Sequence, residues 1–217
     1  MKRKIILIYA MICCILCLVP TILAHVPYIE RRDSSEQQPF QVRRSIAQSI
    51  AVYSWLETDG VTPSTDIDVY RFSIEDQPVE VYLEVIVPVC DGYYANFTPW
   101  FALVGPDLPP SNQTLPFDIP DGCGVIVKQD APPGSPREEF FEPFGGKWYY
   151  RGPTFKQTIN VSGTYSVYYW DPYQTGGDYV AVLGNKERFP PLDILRALIN
   201  TPLIRWGYEL HLPESII

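Results

Sequence analysis

The chain has 217 residues with 25 acidic against 17 basic side chains, a formal net charge of −8. That balance leaves no Lys/Arg field to neutralise phosphates, which excludes nucleic acid as a partner and disfavours an anionic membrane surface. Beyond an apolar N-terminal segment, the length suffices for one domain with a sizeable core and not for two.

Lys2-Arg3-Lys4 precede an apolar run from Ile5 to Leu23 and a small residue at Ala24. This is the layout of a secretory signal peptide over residues 1–24, with Ile22 and Ala24 at the positions read before the cut. The run is also long enough to span a bilayer, so an uncleaved anchor holding the protein at the membrane is the alternative. Either way the remainder is secreted or extracytoplasmic. Cleavage removes Lys2, Arg3 and Lys4 and takes the formal charge from −8 to −11. It also removes Cys13, Cys14 and Cys17, leaving Cys90 and Cys123. An even pair in an oxidising compartment predicts a disulfide, closing a loop of about 30 residues and contributing on the order of 3 to 4 kcal/mol. Sequons at Asn96, Asn112 and Asn160 mark surface loops if the host glycosylates.

Residues 25–48 are polar and charged and read as a flexible arm. The sandwich domain is expected over 49–188. Ser49 to Leu56 alternates as a first strand, followed by a turn-rich stretch with Asp59-Gly60 and Pro63. In Asp66 to Val87 the side chains alternate on both sides of the turn Glu75-Asp76-Gln77-Pro78, which predicts an antiparallel hairpin. Phe101 to Val104 and Val125 to Lys128 are short strands either side of a proline-rich loop, Leu108 to Gly122. Glu138 to Phe144 and Lys147 to Arg151 flank the hairpin signal Gly145-Gly146. Phe155 to Val161, Tyr165 to Trp170 and Tyr179 to Leu183 complete roughly eight or nine short strands, the pattern of an all-β, antiparallel sandwich of jelly-roll type. In 189–217, Leu192, Leu195, Leu198 and Ile199 recur at helical spacing after Pro190-Pro191. This short C-terminal helix reads as a cap on an open end of the sandwich. The other reading, an interfacial membrane helix, has only Arg196 and Arg205 as cations on its polar face.

The segment Asp66-Ile67-Asp68-Val69-Tyr70-Arg71-Phe72, with Gly163-Thr164-Tyr165 and Gly177-Asp178-Tyr179, resembles the bacterial pre-peptidase C-terminal family. The resemblance spans about three strands. It implies a secreted, non-catalytic, jelly-roll-like sandwich that in some relatives binds extracellular matrix or carbohydrate and calcium. The proline-rich insert, the cysteine pair and the C-terminal helix depart from that family's compact form. Phe101 to Pro106, FALVGP, is similar to a segment of uncharacterised exported prokaryotic proteins, which brings no activity with it.

Trp100, Trp148, Tyr150, Trp170 and Tyr173 are candidates for an aromatic rim on which sugar rings or peptide side chains stack, although core packing accounts for most such residues in a sandwich. Asp59, Asp66 and Asp68 are candidate oxygen ligands for calcium at a strand start, against the plainer reading of acidic residues kept for solubility. Glu138, Glu139 and Glu142 could supply a glycosidase carboxylate pair, or merely charge a strand edge. Were the cut to fall after Ala24, His25 would become the N-terminus and could chelate copper with His211, as in secreted polysaccharide oxidases. Two histidines leave almost no material for a Ser-His-Asp arrangement. The residues thus point to a secreted binding or structural module recognising carbohydrate, peptide or a partner protein. The alternative is a secreted enzyme, a copper oxidase or a glycoside hydrolase.

Overall fold

The computed structural model describes residues 25–58, 61–188 and 190–212. The signal-peptide or anchor segment and Asp59 lie outside them. Two mixed sheets pack face to face as a β-sandwich. One, in spatial order, joins β1 (Val26–Ile29), β3 (Ile50–Leu56), β11 (Gly177–Leu183), β5 (Val79–Pro88), β9 (Lys147–Ile159) and β8 (Glu139–Glu142). The other joins β2 (Phe40–Gln41), β4 (Ile67–Ile74), β10 (Gly163–Trp170), β6 (Trp100–Pro106) and β7 (Cys123–Lys128). A single helix, α1 (Pro191–Arg205), follows, starting on proline at its first turn.

Period-two alternation sends Val52, Tyr70, Phe72, Leu83, Val85, Val167 and Leu183 into the layer between the sheets, the main core. Both outer faces are also partly covered. The proline-rich loop folds over β10 and β4, where Phe117 stacks on Tyr168 at 4.0 Å between ring centroids. Ile204 of α1 is packed with Tyr53, Tyr149 and Val180 on the outer face of the six-stranded sheet.

Four expectations change. The strands on either side of Glu75 to Pro78 are not a paired hairpin: β4 bonds β10 and β2, while β5 bonds β11 and β9, so that turn carries the chain from one sheet to the other. Residues 25–48 are no arm. They supply β1 and β2, each parallel to its neighbour, which makes the sheets mixed rather than wholly antiparallel. The two strands expected over Lys147 to Arg151 and Phe155 to Val161 are one, β9, because Gly152-Pro153 sits where the β5–β9 register shifts between Glu84 and Ile86, so proline's missing donor breaks no ladder bond.

The fourth correction is the disulfide: Cys90 and Cys123 are both free thiols. Cys90 lies just beyond Pro88, where β5 ends opposite Tyr149, and precedes the start of β6. Cys123 pairs with Pro106 at the far end of β6. The seven residues of β6 separate the two levels, a rise of about 20 Å at ~3.3 Å per residue, whereas a disulfide needs Cα atoms within roughly 7 Å.

Candidate metal centre

The N-terminal segment crosses from the edge of one sheet to the edge of the other, between β1 and β2, over the sandwich end where β4 starts. The crossing delivers Glu30, Asp33 and Ser34 to Asp68. Alternation aims Asp68 inward beside Tyr70 and Phe72, and it is completely buried. Asp33, Asp66 and Asp68 each bring a carboxylate oxygen to within 4.8 Å of the others, grading from exposed through half-buried to buried. A calcium ion with oxygens at roughly 2.4 Å allows just such separations between its ligands.

Beneath this triad lies a polar layer inside the core. The Ser34 hydroxyl donates to Asp68 Oδ1 at 2.9 Å and Tyr179 donates to Asp68 Oδ2 at 2.6 Å. Tyr70 donates to Glu30 Oε2 at 3.0 Å. The Ser54 hydroxyl reaches both Glu30 Oε2 and Asp68 Oδ2. Among the described residues, no lysine or arginine forms an ion pair with Glu30, Asp33, Asp66 or Asp68. Burial is accordingly the first cause of raised carboxyl pKa values at Glu30 and Asp68, and the negative charge of Glu30 adds to it at Asp68. The Asp33 carboxyl is pushed up to about 6 by burial and then by the charges of Asp66 and Glu57.

An unpartnered polar group lies close by in the same layer. Tyr169 lies directly across the ladder from Asp68, on the same inward face. Its hydroxyl is fully buried and has no hydrogen-bond partner among the described residues, and burial first, then the charges of Asp68 and Glu30, hold its proton on. Buried hydroxyls are rarely left so. The donor set is all oxygen and mostly anionic, which suits a hard divalent cation and not copper or zinc.

Asp66 also lines a surface groove of ≈ 860 Å³, running between the proline-rich loop and the loops before β2 and β4. Glu57, Thr65, Asp118 and Phe117 contribute to its walls.

The sequence candidates are distributed differently. Asp66 and Asp68 come together; Glu30 and Asp33 join them unforeseen, because a segment read as an arm gave no reason to place them. The alternation of Val26, Tyr28 and Glu30 was the available signal. Trp100, Trp170 and Tyr173 cluster on the outer face of the five-stranded sheet, with centroids 6.1 Å and 6.5 Å from Trp100. Trp148 is 54% exposed but sits beside Phe141 on the other sheet, and Tyr150 is buried under the Arg137 guanidinium. The five therefore form no single rim. Glu138 pairs with Arg151, and Glu142 accepts from the backbone N–H groups of Phe144 and Gly145. His25 hydrogen-bonds the Ser49 hydroxyl at one end of β3, and burial lowers its pKa to about 4. His211 stacks on Trp55 near the other end of that strand, so the two histidines are not brought together. No family model matches the chain, and no curated protein matches it.

Proposed function

We propose that the chain is an exported, non-catalytic binding module of jelly-roll-like form, in which a calcium ion held by Asp33, Asp66 and Asp68 organises the adjoining groove for a neutral, hydroxyl-rich ligand of the carbohydrate class. The observation that carries this reading is the convergence of the three carboxylates within 4.8 Å with no lysine or arginine paired to them among the described residues. The ion would draw the crossing segment, through Asp33, onto the start of β4, through Asp66 and Asp68, and so set the width of the groove at its acidic end. Glu57, Asp118 and Thr65 supply hydroxyl-binding oxygens there, and Phe117 an apolar surface for a sugar ring. The strongly acidic chain favours an uncharged ligand over an anionic one.

Calorimetric titration of calcium into chelator-treated protein tests the reading, followed by titration of neutral oligosaccharides with and without the ion. One calcium per chain is expected, lost in Asp66→Asn, with oligosaccharide binding only in the calcium-loaded form. Absence of calcium binding, or a ligand affinity indifferent to it, would overturn the reading.

A further inference from the structure

Helix α1 is amphipathic in the reverse of the usual sense. A surface helix normally turns its apolar stripe to the core. Here Asp193, Arg196 and Asn200, spaced at three and four residues, face the protein. Asp193 is fully buried, ion-paired with Arg44 and Arg196. Arg196 donates to the Tyr28 hydroxyl at 2.7 Å and lies over its ring, and Asn200 donates to the carbonyl of Pro27 at 3.0 Å. The opposite face is apolar and open: Leu192, Leu195, Leu198 and Ile199 are 72%, 54%, 55% and 54% exposed. Trp206 and Tyr208, just past the helix, are 74% and 73% exposed. A contiguous face of this kind marks an interaction surface.

What covers it follows from where the chain enters the fold. The apolar run of residues 5–23 joins at His25, one residue before β1, and β1 is the strand on which α1 rests. Where it is retained as an anchor, the one segment of this sequence with the length and composition to enter hydrocarbon thus joins the chain at the strand that α1 covers. Trp and Tyr are the residues that settle at a bilayer's interface. At 15 residues α1 suits lying on a membrane rather than crossing one, and among the described residues no helix is long and apolar enough to cross. Both helix arginines are already engaged, Arg205 with the carbonyls of Phe144 and Pro143, so anionic headgroups have no partner there.

We infer that the outward face of α1 lies on an uncharged, zwitterionic bilayer, with Leu195 and Leu198 at its centre and Trp206 and Tyr208 at its border. Protein expressed from the full chain, with phosphatidylcholine vesicles whose acyl chains carry bromine, tests this by tryptophan quenching. The expected result is quenching that falls by at least half in Trp206→Phe and in the doubly substituted Leu195→Glu, Leu198→Glu protein, whose circular dichroism should match the wild type. Equal quenching in wild type and Trp206→Phe would overturn the inference. So would a dimer in solution that Leu195→Glu, Leu198→Glu dissociates while wild-type Trp206 stays unquenched, which would assign the face to a second copy.

Discussion

Glu30 and Asp68 meet through one hydroxyl, that of Ser54, which lies within hydrogen-bond reach of both carboxylates. One O–H hydrogen serves one acceptor at a time. With both acids ionised, a lone pair of the serine therefore faces an anion across one of the two contacts. A proton on either acid relieves this, and so would a cation drawn to the pair.

Neutralising one partner should therefore help the metal-free protein. Glu30→Gln keeps an acceptor, adds an amide donor and removes a buried charge. Near pH 8 in chelator it is expected to be more stable than wild type by roughly 1 to 3 kcal/mol. The difference should vanish near pH 4, where both acids carry protons. Thermal unfolding of the two proteins across that range checks it.

Calcium and pH should act on one group in opposite senses. The folded-state pKa of Asp33 is raised to about 6, above an unfolded value of about 4. Between those values the native state holds more protons than the unfolded chain, so this group's contribution to stability is lost as pH rises. Calcium requires the ionised form and should stabilise more across the same interval. The shift in unfolding midpoint caused by calcium should be small near pH 5 and large near pH 7.5. Asp33→Asn should flatten that dependence; a shift independent of pH would remove Asp33 from the site.

Asp178 latches the C-terminal segment. It is buried, and it accepts from the Tyr94 hydroxyl at 2.6 Å and from the backbone N–H of His211 at 2.8 Å, with His211 Nδ1 at 2.7 Å from its other oxygen. Asp178→Asn removes the charge behind those bonds. It is expected to cost roughly 1 to 3 kcal/mol and to expose the chain after Gly207 to proteases at concentrations that spare the wild type. Limited proteolysis read by mass spectrometry tests it.

Gly124 is where the proline-rich loop is clamped. A Cβ there would lie 1.9 Å from the backbone oxygen of Leu108, which no rotamer change can move. Gly124→Ala should displace the loop and cost about 1 to 3 kcal/mol, with Tyr168 becoming accessible to modification as Phe117 lifts away. An unchanged denaturation midpoint would show the loop to be looser than this packing implies.

The two-layer architecture was readable wherever one strand face is buried and the other is open, as along the first half of β5. It was obscured where a third layer lies outside. Tyr168, Tyr169 and Trp170 are consecutive and all buried, because Phe117 covers one face of β10 while the main core covers the other. Composition misled at residues 25–48 for a related reason. The polar side chains of Glu30 and Ser34 are spent on Asp68, Tyr70 and Ser54, contacts 24 or more residues away in sequence that no local pattern reveals. Asp66 and Asp68 were legible because they stand two residues apart, just before and just inside the start of one strand. Their partners required the crossing between sheets. The cysteines misled because parity and compartment say which thiols could pair, whereas the length of β6 decides that these do not.

The hydroxyl of Tyr179 ends on the same Asp68 oxygen that Ser54 reaches, and the rings of Tyr70, Tyr169 and Tyr179 lie against one another in sequence, at 5.0 Å and 5.3 Å. A phenol donating to a carboxylate absorbs at longer wavelength than one whose acceptor has been engaged elsewhere. An ion taken up at the acidic site as proposed should therefore register in near-ultraviolet difference spectra of the unlabelled chain.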